Sequence, residues 1–388
     1  MHLKPTLLIG PILLLLISHS YAEETTSLDA PKPVKIAFIN PILNAIENSG
    51  ARLSPTTLKW MKKWKGIDLE DASVFSFKEL SGSSSINLKI QKIDASDEKG
   101  FKAYGSFVAV NEAANPNSEI GSFNLAAIVG ADSFYRPTIP YSLGKRAQAE
   151  FKNLLATLPI SGSMKIANKK RILSNLEKGA LLPGCIKAKK DDTEIAIESM
   201  LVKGWRGSTS LNPNHAVMKF LQAGNPQPKK GDTILMHPNY TGDALTLARE
   251  FSTILTIDAV FGQYDRFSGG NIVLMKDENN STHFYATDNG GADIVNSVAA
   301  TKITLRSVSR FDKKVILKIK EMYAFLHNPA VGFLGYTDAN KFIIDLGLYF
   351  DHKPERYVKA LKDNTAVLLQ KVSESEVVYG EKAYFEEE

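Results

Sequence analysis

Thr256-Ile257-Asp258-Ala259-Val260-Phe261-Gly262-Gln263-Tyr264-Asp265-Arg266-Phe267-Ser268-Gly269-Gly270-Asn271-Ile272-Val273-Leu274-Met275, with His283-Phe284-Tyr285-Ala286-Thr287-Asp288-Asn289-Gly290-Gly291 just beyond it, decides how the chain reads. Leu245, Ala248, Phe251, Leu255, Asp258 and Phe261 recur at steps of three and four, which predicts an apolar-striped helix with Asp258 as its one polar interruption. That helix stops at the polar loop Tyr264 to Asn271, where paired glycines free the backbone. Ile272 to Met275 reads as a short strand, Asp277 to Asn280 as a turn, and His283 to Thr287 as a second strand. The hairpin therefore gathers Asp265, Asn271 and Asp288 at one end.

Two carboxylates and an amide in this order suit phosphoryl transfer, which needs one carboxylate at the attacking hydroxyl and oxygen ligands for Mg²⁺. Each piece alone is also ordinary turn chemistry, since Asp, Asn and Gly are the commonest turn residues. Taken together behind a helix, Asp265-Arg266, Asn271 and Asp288-Asn289-Gly290 resemble the catalytic half of the protein-kinase-like superfamily. The likeness is to its atypical branch, which holds the phosphatidylinositol 3- and 4-kinases, the HipA toxin kinases and the Golgi casein kinases. The resemblance implies an α+β, two-lobed protein-kinase-like fold with a small β-rich lobe and a larger, mostly helical lobe. It also implies ATP with Mg²⁺ or Mn²⁺, Asp265 as the catalytic Asp, and Asp288 and Asn271 as metal ligands. One departure concerns spacing: kinase catalytic loops place this Asn one residue nearer the Asp, whereas Asn271 follows Asp265 by six.

Outward from this stretch the chain divides into segments. Its 388 residues are 44% apolar and 23% charged, ordinary for a globular protein. A net charge of +5 over that length gives no argument for nucleic acid. Residues 1–22 read as a Sec-type signal peptide: a basic start, an apolar run from Leu7 to Ile17, and Ser20-Tyr21-Ala22 as a small-x-small cleavage site. That run is short for a bilayer span, so the mature chain is expected to be exported, periplasmic or secreted, with no transmembrane segment. A single cysteine, Cys185, excludes an internal disulfide, departs from the disulfide-rich Golgi kinases and favours an exported bacterial protein, such as a bacterial effector. Cys185 itself reads as a buried small residue.

Residues 23–79 form an N-terminal extension with a helix carrying Trp60 and Trp64 among Lys59, Lys62, Lys63 and Lys65. Such a helix either lies on a membrane or docks its aromatics onto the domain; docking is the expectation. Residues 80–143 are assigned to the small lobe. Gly82, Ser83 and Ser84 stand where a kinase has its phosphate-covering loop, ahead of an alternating strand at Ile86 to Gln91. Kinases also carry a strand lysine, and at the matching place this chain has Val108-Ala109-Val110-Asn111. Lys89 or Lys102, each on a polar strand face, is expected to replace it, and Glu119, at the start of the next helix, to pair with the lysine. Glu119 is equally a first-turn glutamate favoured by the helix dipole. Residues 144–375 are assigned to the large lobe and 376–388 to an acidic, frayed tail. The acceptor is open between a protein Ser/Thr, a lipid and a sugar. So is the class of activity: phosphotransferase, pseudokinase binding module, or transfer of AMP or another group.

Overall fold

The computed structural model describes residues 40–79, 86–110, 115–179, 181–197, 202–203, 210–211, 215–267, 270–350 and 352–386. Residues 1–22, Gly82, Ser83, Ser84 and Asn111 lie outside them. Five antiparallel strands make the small lobe: β1 (Phe75–Glu79), β2 (Asn87–Ile93), β3 (Phe101–Ala109), β4 (Thr138–Leu143) and β5 (Leu182–Ala188). Their order is β1-β2-β3-β5-β4, so the last of these five strands in chain order enters between β3 and β4.

Side-chain alternation splits this sheet into two faces. Leu88, Ile90, Phe107, Ile139 and Ile186 face an outer core shared with the Pro55–Trp64, Lys145–Thr157 and Ser163–Glu177 helices. Trp60 and Trp64 are buried in that core, so the Trp/Lys helix docks onto the domain and its lysines face water. The opposite face carries Lys89, Ser106, Lys187 and Thr138 in one row, as the pairings Lys89↔Ser106, Ser106↔Lys187 and Thr138↔Lys187 require.

The large lobe has its own core around the Ala244–Phe261 helix. Asp243 caps that helix, its carboxylate accepting from the Thr246 N–H at 2.8 Å. At the other end Gly262 takes the left-handed conformation (φ 62°), and a Cβ there would meet the Ser297 side chain. The Pro354–Tyr379 helix locks the assembly: Asn364 Nδ2 donates to Val260 O (3.0 Å) and to Ser297 Oγ (2.7 Å). Between the two cores a small cluster of Val108, Ile120 and Cys185, with Phe350 against it, forms the seam.

The chain is thus α+β, with a β-rich lobe and a larger helical one. The strands of its sheet extend to either side of residues 80–143. β1 and β5 lie outside residues 80–143, yet β5 is internal to the sheet, because only the last-arriving strand fills the gap between β3 and β4. Within residues 376–386 the backbone is tied to the large lobe. Phe311 N–H donates to Ala383 O (2.9 Å), Phe385 N–H to Phe311 O (3.1 Å), and Phe385 is buried. Among the described residues no helix is long and apolar enough to cross a membrane.

Candidate active site

Three elements bring charge together at the seam. Lys187 projects from β5 on the inner face, and its Nζ lies 2.5 Å from Glu119 Oε1 and 3.5 Å from Asp288 Oδ1. Glu119 sits in the first turn of the Pro116–Ile128 helix, and its other oxygen accepts the Asn289 N–H at 3.1 Å. Asp288 follows the strand Thr282–Ala286. Glu119 therefore ties the lysine to the very turn that carries Asp288.

The large lobe fixes the Glu119 helix in this position. Asn115 N–H donates to Gly290 O (3.0 Å), Ser118 Oγ–H to Ala292 O (2.9 Å), and Asn117 Nδ2 to Tyr357 Oη (2.8 Å). Asn117 Oδ1 in turn accepts the Tyr349 and Phe350 N–H groups, each at 3.1 Å. With all four groups buried or half-buried, the helix register is set by the fold rather than left to a ligand.

Burial and charge oppose each other here, and the balance differs from residue to residue. Burial pushes the Glu119 carboxyl up to about 7 although Lys187 pulls it down, because Asp288 beside it adds repulsion. Burial acts on Asp288 in the same direction, but Lys187 and the Gly290 N–H outweigh it and hold the carboxyl at about 2. Burial disfavours the Lys187 charge too, yet Asp288 and Glu119 keep its pKa raised. Asp288 is enclosed by protein on most sides, but its side chain keeps 43% of its exposure and so can meet a ligand. Lys187 and Glu119 are almost wholly buried.

Asp265 lies half-buried in the loop after the Ala244–Phe261 helix. Asn271 donates its Nδ2 to Asp265 O at 2.6 Å and approaches Asp265 Oδ2 at 3.4 Å, leaving the amide oxygen as its ligand-capable end. Gln263 spans both loops, accepting the Asp265 N–H (3.1 Å) and donating to Asp288 O (3.3 Å). Gly291 packs directly on Asp265: a Cβ at that position would stand 2.7 Å from Asp265 Cβ, so the second glycine of Asn-Gly-Gly is a requirement of close approach. Asp265, Asn271 and Asp288 are thus neighbours in space.

The lysine that meets Glu119 and Asp288 is Lys187 of β5, in place of the expected Lys89 or Lys102. Lys89 lies on the same sheet face, beyond Ser106. Lys102 does not reach this site. It sits at the turn end of β3, pairs across to Lys92, and makes an ion pair with Asp94 at 2.8 Å in water-exposed surroundings. Glu119 meets a lysine, though one from β5. Cys185 is fully buried in the seam, and burial first of all pushes its thiol well above the ordinary value, which leaves it a packing residue.

The residues present suit Mg²⁺ or Mn²⁺. One exposed-edge carboxylate and one amide oxygen form an all-oxygen donor set, and such ions keep several positions for phosphate and water. Among the described residues no group of three or more His, Cys, Asp or Glu could hold a metal by protein ligands alone.

No known protein family matches this sequence, and no curated protein does either. Among solved structures, the chain is similar to the Golgi casein kinase crystallised with Mn and ADP bound, at a TM-score of 0.48 and 10% identity, over 92% of this chain and 94% of that one. At that distance the arrangement of lobes and site is read from this chain's own topology and contacts.

Proposed function

We propose that the protein is an ATP-dependent phosphotransferase of the kinase-like class, acting on a hydroxyl acceptor. One observation carries the reading: Lys187 from a strand, Glu119 from a helix and Asp288 from a hairpin end converge within ion-pair distance, beside Asp265, at the seam of the two lobes. Lys187, oriented by Glu119, contributes the fixed cation for phosphate oxygens, with Lys89 further along the same face. Asp288 and the Asn271 oxygen would hold the divalent ion, which when bound would neutralise charge on the phosphates. Asp265 orients the acceptor hydroxyl and takes up its proton. The loop with Gly82, Ser83 and Ser84 is assigned to covering the phosphates. Lys187 supplies a cation beside Asp288 that Asn111 cannot, which supports transfer over a binding-only role. Residues 1–22 are assigned to export.

The roles separate by experiment. Asp288→Ala removes the metal-holding charge, so the metal-dependent thermal shift with ATP and the turnover both fall. Asp265→Ala keeps the thermal shift while turnover drops on the order of 10²-fold or more. Two folded variants that bind and turn over like the parent overturn the assignment. Label transferred from the γ position identifies phosphorylation, whereas label from the α position identifies nucleotidyl transfer.

A further inference from the structure

The Asp258-Arg266 pair is separate from the residues assigned to metal and acceptor. Arg266 is 2% exposed and Asp258 1%. The guanidinium donates from Nε to Asp258 Oδ2 (2.8 Å) and from Nη2 to Asp258 Oδ1 (2.7 Å), a bidentate pair. Its other two contacts reach opposite ways. Nη1 donates to the backbone oxygen of Asn271 at 2.7 Å, and Nη2 to Asn289 Oδ1 at 2.6 Å. Asn289 is fully buried, and its own N–H is held by Glu119. One side chain, anchored on the helix by Asp258, therefore holds both the Asp265–Asn271 loop and the Asp288–Asn289 turn.

We infer that Arg266 is a positioning residue that clamps these two loops to one another, so that Asp265 and Asp288 keep a single spacing before any ligand arrives. What the loops hold rests on the phosphotransferase reading; the clamp itself does not. A planar fork with donors on three sides meets acceptors on three residues at once, whereas a lysine ammonium at the end of a flexible stem pairs with Asp258 but cannot span the other two. Removal of an outer group that orients metal ligands typically weakens metal affinity about 10–100-fold.

The test uses the full chain and two variants. Arg266→Lys preserves a cation for Asp258. Asn289→Ala cuts one arm of the clamp and leaves the Arg266–Asp258 pair intact. Amide hydrogen exchange without ligand is read over residues 264–267, 270–272 and 287–291, and the Mn²⁺ dependence of the ATP-induced thermal shift is read separately. In Arg266→Lys both segments are expected to exchange faster together while β1–β5 keep their protection, and the apparent metal affinity to fall about 10-fold or more. In Asn289→Ala only residues 287–291 are expected to loosen. Faster exchange in one segment alone in Arg266→Lys, or unchanged exchange in both, overturns the clamp. A parent protein with no metal-dependent shift overturns the phosphotransferase reading instead, and the exchange data then decide the clamp alone.

Discussion

Two cation–carboxylate clusters meet at the seam, and they differ in what they leave open. Around Arg266 the acceptors are engaged: both carboxylate oxygens of Asp258, a backbone oxygen and an amide oxygen accept from it, and both charged groups are buried. Around Lys187 the two carboxylates crowd one ammonium, one of them at about 7 and the other at about 2, and the second keeps an exposed edge. The first cluster spends its hydrogen bonds on geometry. The second leaves Asp288 an open edge, where burial raises Glu119 and Lys187 holds Asp288 low. The first serves the fold, and the second keeps a carboxylate edge that a cation-bearing ligand would meet on the proposed reading.

The difference predicts opposite mutational profiles. Arg266→Ala leaves Asp258 buried without its partner and two further acceptors unpaired, which should cost about 3–5 kcal/mol of unfolding free energy. Lys187→Ala should cost less, because Glu119, already near 7, takes up a proton instead of remaining a buried anion. Its turnover should nonetheless fall on the order of 10²-fold or more, through loss of a fixed charge aimed at phosphate. Urea unfolding of both variants beside a transfer assay makes the check. If Lys187→Ala proves the less stable of the two, the contrast between a closed and an open cluster fails.

The same contrast explains what the sequence could disclose. Asp265, Asn271 and Asp288 were legible because their helix, loop and hairpin are contiguous, and turn residues at a fixed offset need no long-range packing to be recognised. Asp258 was flagged as the one polar residue in an apolar stripe. A buried carboxylate requires a paired partner, and Arg266, eight residues on, supplies it. Lys187 was hidden for a topological reason. Its partner Glu119 stands 68 residues away, and β5 enters the sheet out of chain order, between β3 and β4. Leu182-Pro183-Gly184-Cys185-Ile186-Lys187 also masks strand alternation, since the strand is buried on both faces from Gly184 onward. Its remaining signal was a lysine two residues after a buried cysteine, on one face of a short apolar run. Gln263, bridging the two loops, had no signal beyond its nearness to Asp265.

A smaller effect concerns pH. His283 Nδ1 lies 2.6 Å from Glu250 Oε1 and its Nε2 lies 3.4 Å from Asp277, which ties the hairpin of Asp288 to the Ala244–Phe261 helix. The hydrogen bond to Glu250 raises His283 above 6.5 against the opposing effect of burial. A raised folded value means that protonation favours the folded state. The stabilisation is therefore complete below 6.5 and is lost as pH rises through the folded value. Burial raises Glu250 as well, which gives the same sign. Thermal melts from about pH 5.5 to about 8.5 should show the parent losing up to about 1 kcal/mol relative to His283→Gln. A parent that instead gains on the variant with rising pH would show that the imidazole is neutral throughout.

The smallest expected effect lies farthest from the seam. Lys102 and Lys89 both stand on polar strand faces, but the sheet separates them. Lys89 shares the inner face with Lys187, with β3 between their strands, so the gap is about 10 Å at the usual strand spacing. Lys102 lies four residues along β3 from the Ser106 that Lys89 faces, at a hairpin end where its charge is spent on Asp94 in open water. Solvent screening at such a site leaves nothing for a phosphate in the seam to feel. Nucleotide affinity measured by thermal shift should therefore be unchanged in Lys102→Ala and weakened in Lys89→Ala, though less than in Lys187→Ala. The order of the three is the discriminating quantity, because it follows the sheet register and not the sequence position. If Lys102→Ala were the one that lost affinity, the anion would have to run over the β2–β3 hairpin tip, and the open cluster at Lys187 would no longer be where the nucleotide binds.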